Sequence, residues 1–285
     1  MSKINVQKEA RIESFLRNHK WILLTATLIV SSLLYFGIYY SMTLYNQGQY
    51  WSLLLSGLFA HSFFVITMHD GAHQSITETK LDALIMTFCS GLIILPGYTE
   101  LFKKYHLTHH AETNTPSDPL WSPAKEKLFN NHRKTYAFLQ CLPFVFNIYV
   151  LFQKKTEKVE VKSYQPKWFN FIFSLAVASI IIYLFTPPFF FVFGTFTVMT
   201  ALGAFRYWGE HMGIEKGKES NTHWFPLGMG IGNHDVHHHF PNYSWLTLTI
   251  GLLYRKMDTN PIKSFWRLMT DSNFHHYKPN KKGYE

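Results

Sequence analysis

The sequence predicts an all-α integral membrane protein with four transmembrane helices in two hairpins and a cytoplasmic, histidine-rich helical cap. All 27 Lys and Arg residues lie outside two windows, residues 25–79 and 168–205. Each window is long enough for two helices of about 20 residues, the length that crosses a ~30 Å hydrocarbon core. Most of the 16 histidines fall in short clusters close to the ends of these windows or in the segments outside them.

The first window predicts the first hairpin, with spans at about residues 21–44 and 50–68. Its apolar runs, WILLTATLIVSSLLYFGIYYSMTLY and YWSLLLSGLFAHSFFVITM, are separated only by the polar stretch NQGQ. The residues before the first run are charged and lack a small-residue cleavage site. We therefore expect an uncleaved anchor and not a signal peptide.

Two further apolar stretches, residues 81–96 and 135–152, are not expected to cross the membrane. His73 and His106 flank the first stretch, and the 32 residues between them are too few for two crossings. If both histidines face one side, this stretch dips into the membrane or lies flat, with a turn at Pro96 and Gly97. The second stretch contains polar residues and a proline, which favours an amphipathic helix at the interface.

The second window predicts the second hairpin, with spans at about residues 168–186 and 189–208, turned at Pro187 and Pro188. Neither far-side loop contains Lys or Arg. By the positive-inside rule, both termini and the cap, at about residues 69–167 and 209–285, then lie in the cytoplasm. The 285 residues are thus expected to form one membrane-bound domain.

The net charge of +9 has a simple explanation in a membrane protein. Basic residues orient the chain and attract anionic lipid headgroups. Nucleic acid is therefore not an expected partner.

Three histidine clusters, HDGAH, HLTHH and HDVHH, lie near predicted membrane boundaries on the cytoplasmic side. Their i, i+3 and i, i+4 spacings place imidazoles about 5–6 Å apart on one helix face, close enough to share a metal ion. A further histidine at the end of the fourth span, in RYWGEHMG, lies at the same depth and is expected to be a ninth ligand. The candidate ligands are His69, His73, His106, His109, His110, His211, His234, His237 and His238.

These ligands are too many for one ion, so the pattern indicates two. A set rich in imidazole and free of thiolate suits iron, zinc or copper. Cys89 and Cys141 lie in apolar stretches with no metal-like spacing. A cytoplasmic face also argues against a disulfide between them.

Carboxylates near the clusters are expected to accept hydrogen bonds from the ligand rings and so orient them. The candidates are Asp70, Asp118, Glu210 and Asp235. Asn233 directly precedes the third cluster and is expected to contact a metal-bound water. His223 lies in the loop NTHWFPLGMGIGN, which is expected to cover the site.

From about Phe63 to Trp245 the sequence resembles the membrane-bound fatty acid desaturase and hydroxylase superfamily. The stretch HDGAHQS resembles the first histidine box of that family, HLTHHAETNTPSDP the second and NHDVHHHFP the third, in the family order. The Glu-His of GEHMG is similar to a family element upstream of the third box. His239 falls on a position that varies in the family, so it is not expected to be a ligand. The stretch GNHDVHHHF also lacks the Gln that marks some regiospecific subgroups of the family.

The resemblance implies a di-iron centre, ligated by the nine histidines, that activates O2 and removes hydrogen from an unactivated carbon of a long lipid chain. Desaturation of a fatty acyl lipid is the favoured reaction. The alternative is hydroxylation or ketolation of an acyl chain, a sphingolipid or a carotenoid. The electrons are expected from a separate ferredoxin or cytochrome b5 type protein with its reductase.

Two surfaces are predicted for these reactants. Aromatic residues are candidates for the lining of a substrate tunnel: Phe63, Phe64, Tyr98, Tyr207, Trp208 and Trp224. Basic residues are candidates for docking an acidic electron donor, because complementary charge speeds encounter. They are Lys103, Lys104, Lys125, Lys127, Arg255 and Lys256.

Other functional classes explain fewer of these features. An intramembrane zinc protease would need HExxH with Glu as the general base, and HDGAH has Asp at that position. It would also leave two histidine clusters without a role. A metal transporter would need polar ligands at mid-membrane depth, where the spans offer only His61.

Overall fold

The computed structural model describes residues 3–115, 117–121, 123–143, 167–214 and 218–274, and its regular structure is helical. The N-terminal helices are α1 Lys3–Asn18, α2 Lys20–Asn46 and α3 Ser52–Phe64, and α3 continues through a π-helical segment, Val65–His69, into the short α4, Asp70–Ala72. The next helices are α5 Leu81–Leu92, α6 Tyr98–Ala111, α7 Pro123–Asn131 and α8 Arg133–Cys141. The remaining helices are α9 Trp168–Phe185, α10 Phe189–His211, α11 His234–His239, α12 Trp245–Leu252 and α13 Pro261–Thr270.

Four helical stretches are long and apolar enough to cross a membrane, as predicted. They are α2, the continuous run Ser52–Ala72, α9 and α10. Large apolar side chains such as Leu33 and Phe36 on α2 and Ile180 on α9 point outward, more than half exposed. Such surfaces suit contact with lipid chains.

The spans do not pack simply as two hairpins. α2 packs against α3, and α10 also packs mainly against α3. Although Thr186–Pro188 joins α9 directly to α10, the main partner of α9 is α5. The run Ser52–Ala72 is therefore the central span, and it ends at the first histidine cluster.

Helices α5 and α6 form an excursion that brings the chain back to the first histidine cluster. The 12 residues of α5 extend about 18 Å at 1.5 Å per residue, too short for the hydrocarbon core. Gly97, with φ +77°, adopts the left-handed conformation at the turn into α6. His73 and His106, at the two ends of this excursion, lie 2.8 Å apart through their Nε2 atoms. Of the other predicted interfacial stretch, α8 covers the beginning, and residues 144–152 lie outside the described residues.

Helices α5 and α9 approach so closely at Gly91 that a side chain would not fit. A Cβ atom there would lie 2.6 Å from Val177 Cβ and 2.7 Å from the Ser174 carbonyl oxygen. We expect Gly91→Ala to lower the free energy of unfolding by about 1–3 kcal/mol, because the backbones must separate. Gly203→Ala on α10 is the matched control, since a Cβ there meets no atom within 4 Å. Thermal unfolding of the purified protein measures both, and equal stability of the two variants would contradict this packing.

An aromatic cluster fixes the end of α10 that carries the ninth candidate ligand. Trp208 is fully buried and packs against Phe205 and Phe265, with ring centroids 5.1 Å and 5.6 Å away. Phe265 belongs to α13, where Asn260 Oδ1 accepts a hydrogen bond from Ile262 N at 2.8 Å and so caps the helix. Helix α13 therefore packs against the end of α10 that carries His211.

Candidate metal centre

Nine histidines from four segments of the chain form two neighbouring groups. Within each group the available ligand nitrogens all lie within 4.8 Å of one another. The five-histidine group consists of His69, His73, His106, His110 and His237, and the four-histidine group consists of His109, His211, His234 and His238. The rings of His110 and His238, one from each group, stack with centroids 4.4 Å apart.

Within each group the Nε2 atoms point at one another. The contacts join His73 to His106 (2.8 Å), His110 to His237 (3.0 Å), His211 to His234 (3.0 Å) and His234 to His238 (3.1 Å). Two nitrogens that bind one ion at ~2.1 Å and at roughly right angles lie about 3 Å apart. The geometry is therefore that of converging metal ligands.

Helices α6 and α11 each contribute to both groups. On α6 the i, i+4 pair His106 and His110 faces the five-histidine group, while His109 between them faces the other. On α11 the i, i+4 pair His234 and His238 faces the four-histidine group, while His237 between them faces the five-histidine group. These two helices thus fix the relative position of the two groups.

The π-helical segment Val65–His69 ends at the first candidate ligand. A π-turn contains one more residue than an α-turn at this point and changes the direction of the side chains that follow. Such segments occur often at functional sites. The sequence pattern of the second span contains no sign of this change.

Asp118 orients the candidate ligand His109. Its Oδ1 and Oδ2 atoms accept the His109 Nδ1–H at 2.9 Å and 3.0 Å, and backbone N–H groups of Asn114 and Leu120 donate to the same carboxylate. Burial alone would raise the pKa of Asp118, but the neighbouring His109 and these donors lower it. The proton on Nδ1 leaves His109 Nε2 free to bind a metal ion.

Asp70 has a similar position beside the other group. Its Oδ1 lies 3.2 Å from His69 Nδ1, and its Oδ2 accepts a hydrogen bond from Trp245 N at 2.7 Å. Asp70 therefore connects the first histidine cluster to the start of α12.

Glu210 lies on the metal-facing side of a candidate ligand. Its Oε2 is 3.4 Å from His234 Nε2, the nitrogen that points into the four-histidine group. Its Oε1 is 3.5 Å from both Arg206 Nε and His223 Nε2. The structure thus places Glu210 beside the converging nitrogens of the four-histidine group, and it places the fully buried His223 next to Glu210.

The remaining two candidates for orienting residues contact other partners. The Asn233 side chain donates to Glu9 Oε1 at 2.9 Å and to the Leu248 carbonyl oxygen at 3.4 Å. Asp235 Oδ1 lies 3.9 Å from Nδ1 of His239, whose side chain is 44% exposed. The role predicted for Asn233, contact with a metal-bound water, stays a prediction.

Burial keeps most of the candidate ligands neutral. Burial first, and the neighbouring imidazoles second, lower the pKa of His106, His234, His237 and His238 well below the ordinary value. Chiefly through burial, the pKa of His73 falls to about 3 and that of His110 to about 2. Neutral imidazole is the form that binds a metal ion.

The donor set fits two metal ions. His69 Nε2 and His109 Nε2 are buried and have no hydrogen-bond partner among the described residues, although each lies inside its group. A buried polar atom without a partner is costly, and a bound cation would satisfy it. Cys89 and Cys141 are free thiols and belong to neither group.

Two contacts of the candidate ligands were not predicted from the sequence. The Phe102 ring stacks on His106, with centroids 5.1 Å apart and planes inclined by 9°. Thr113 Oγ1 lies 3.2 Å from His238 Nδ1. The i, i+4 spacing of Phe102 and His106 is a signal that could have found the first contact. The second joins residues 125 positions apart and leaves no local pattern.

The six aromatic residues predicted to line a substrate tunnel do not lie together in the structure. Phe64 and Tyr98 pack with Phe102 near the five-histidine group. Phe63 and Trp208 are buried in helix packing, Tyr207 lies against His211 with ring centroids 5.2 Å apart, and Trp224 is 62% exposed.

A family model described as fatty acid desaturase matches residues 47–250, which contain all nine histidines. No curated protein and no solved structure matches the chain significantly.

Proposed function

Because this chain belongs to the fatty acid desaturase family, as its three histidine boxes predicted, we propose that it is an O2-dependent di-iron oxidoreductase of long-chain fatty acyl lipids. The favoured reaction introduces a double bond. The observation that carries this proposal is the convergence of nine imidazoles, most of them buried, into two adjacent groups.

The reaction balances with one O2. Two iron ions, when bound, supply the chemistry by which O2, two electrons and two protons take two hydrogens from a –CH2–CH2– unit and leave –CH=CH– and two waters. His69, His73, His106, His110 and His237 would bind one ion, and His109, His211, His234 and His238 the other. Asp118 and Asp70 would keep the ligand rings in the correct orientation and tautomer.

The substrate would approach from the bilayer. The run Ser52–Ala72 and α10 end at the histidines, and large apolar side chains of the spans face outward, so we expect a lipid chain dissolved in the bilayer to approach the centre from the side. Phe64, Tyr98 and Phe102, packed beside His106, offer an apolar surface next to the five-histidine group. Exclusion of water from this surface would limit side reactions of the oxidant.

The electron donor would approach from the opposite, polar side, which we propose is the cytoplasm for both the cap and the termini. The charge-free far-side loops support this orientation. Of the six basic residues proposed for docking, Lys125 and Arg255 have buried side chains with other partners. We therefore propose that an acidic ferredoxin or cytochrome b5 type donor docks on the remaining four residues, Lys103, Lys104, Lys127 and Lys256.

The reaction type is tested by expressing the protein in a host with a simple lipid profile and locating double bonds in total lipids by mass spectrometry. We expect new species lighter by two hydrogens. The His109→Ala variant, expressed to the same level, is the control and should give none. Species heavier by one oxygen would favour the alternative hydroxylase function. An unchanged profile with both a ferredoxin and a cytochrome b5 system supplied would contradict the proposal.

A further inference from the structure

Helix α1 packs against α12 and α2 and contacts Asn233, the residue before the third histidine cluster, although it lies outside the part of the chain that matches the family model. The match begins at residue 47, and α1 ends at Asn18. From sequence, the basic residues of this segment were expected to orient the chain and to attract anionic lipid headgroups. In the structure, two of its carboxylates point inward, with Glu9 fully buried and Glu13 only 6% exposed.

Glu9 joins two distant segments beside the metal centre. Arg255 donates to both of its oxygens, from Nε at 2.8 Å and from Nη2 at 2.5 Å. Asn233 Nδ2 donates to Glu9 Oε1 at 2.9 Å. A fully buried ion pair contributes little net stability, because desolvation offsets the attraction. Its main consequence here is that the Asn233 side chain has one fixed position.

Asn233 in turn lies at the start of the helix that carries three candidate ligands. It is the residue directly before His234, and its carbonyl oxygen accepts a hydrogen bond from His237 N at 3.0 Å. Because α11 has only six residues, the position of its first turn sets the direction of all its imidazoles. A shift of Asn233 would therefore move ligands of both groups.

A second set of contacts from α1 reaches the first cluster. Glu13 Oε2 accepts hydrogen bonds from Ser244 N at 3.1 Å and Thr247 Oγ1 at 2.7 Å, which fixes the start of α12. Trp245, which follows Ser244, donates a hydrogen bond from its backbone N–H to the carboxylate of Asp70, which lies beside His69. Through Glu9 and Glu13, α1 thus contacts residues that are hydrogen-bonded or adjacent to both the first and the third histidine cluster.

We propose that α1 is a positioning element of the metal centre and that Glu9 acts through Asn233 to orient the histidines of α11. This inference rests on the proposed di-iron centre. Loss of an outer contact that orients metal ligands typically weakens metal binding about 10–100-fold. We expect an effect of that size when Glu9 loses its charge, together with a changed ligand geometry at the ion.

The test uses the full-length protein in detergent, with Co(II) as the probe. Metal affinity is measured by competition with a chelator, ligand geometry by the visible absorption of bound Co(II), and folding by thermal unfolding of the metal-free protein. We expect Glu9→Gln to bind Co(II) at least about 10-fold more weakly and with a shifted spectrum. Arg11→Gln, an exposed change on the same helix, is the matched control and should equal the wild type.

A double-mutant cycle tests the route through Asn233. If Glu9 acts through this side chain, Asn233→Ala and the double variant with Glu9→Gln should weaken Co(II) binding by similar factors. If the double variant instead weakens Co(II) binding by the product of the two single-variant factors, Glu9 does not act through Asn233. Wild-type Co(II) affinity and spectrum in a folded Glu9→Gln protein would overturn the positioning role itself. Failure of the wild type to bind two ions would instead refute the metal centre.

A milder variant covers the case in which Glu9→Gln does not fold. Arg255→Lys keeps the positive charge near Glu9 but loses the two-pronged contact. We expect it to fold and to bind Co(II) more weakly than the wild type but more tightly than Glu9→Gln, with the spectrum shifted in the same direction. Unchanged binding by this variant would also count against the proposal.

Discussion

His237→Ala and His109→Ala are each expected to abolish turnover and to leave the protein with one bound iron instead of two. The two residues belong to different groups, so each variant should lose a different ion. We expect activity to fall by more than 100-fold, beyond the ~10–100-fold effect typical of residues that only orient ligands. Lipid product analysis and the iron content of the purified protein measure the two effects.

The matched control is His239→Ala. His239 follows His238 directly on α11, but its side chain is 44% exposed and its Nδ1 contacts the Asp235 carbonyl oxygen at 2.8 Å. We expect this variant to keep two irons and nearly full activity. Normal turnover with two irons in His237→Ala or His109→Ala would refute that ligand assignment, and loss of iron in His239→Ala would show that the control position also matters.

Asp118→Asn is expected to weaken iron binding by about 10–100-fold and to lower activity in proportion. The introduced amide has a single carbonyl oxygen in place of two carboxylate oxygens, and its NH2 group would face a backbone N–H of Asn114 or Leu120. His109 would then lose its fixed orientation. The mismatch between two donors at a buried site should also cost roughly 1–3 kcal/mol of stability.

Iron titration and thermal unfolding of Asp118→Asn test this expectation. The control is Asp271→Asn, which also removes a carboxylate with hydrogen-bonded partners, Arg267 and Asn273, but at an exposed site. This control should retain wild-type iron affinity. Equal iron affinity in Asp118→Asn would mean that His109 is oriented by other contacts.

The spans and the candidate ligands could be predicted from local sequence. Charge-free windows such as residues 168–205 indicate hydrocarbon contact whatever their packing, because an unpaired charge is costly there. The spacing of His106 and His110 indicates a shared helix face for the same local reason. The observed helices α9 and α10 begin and end within a few residues of the predicted bounds.

The division of ligands between two groups could not be predicted in this way. The i, i+4 rule places His234 and His238 together, but nothing local shows that His237 faces the histidines of a different cluster. Burial of Arg255 and its pairing with Glu9 likewise depend on residues 246 positions apart. For the same reason the contact of the Asn233 side chain with Glu9, 224 positions away, could not be predicted from local sequence.

Sequence by itself therefore determined the membrane spans, the nine candidate ligands and the family, since each depends on composition or on spacing within about one helical turn. Tertiary structure alone decided how the histidines divide between two groups, which carboxylates lie beside them, and that Glu9 and Glu13 of α1 contact residues next to the third cluster and at the start of α12. Those features depend on contacts between segments far apart in the chain, and such contacts are set by the packing of whole helices.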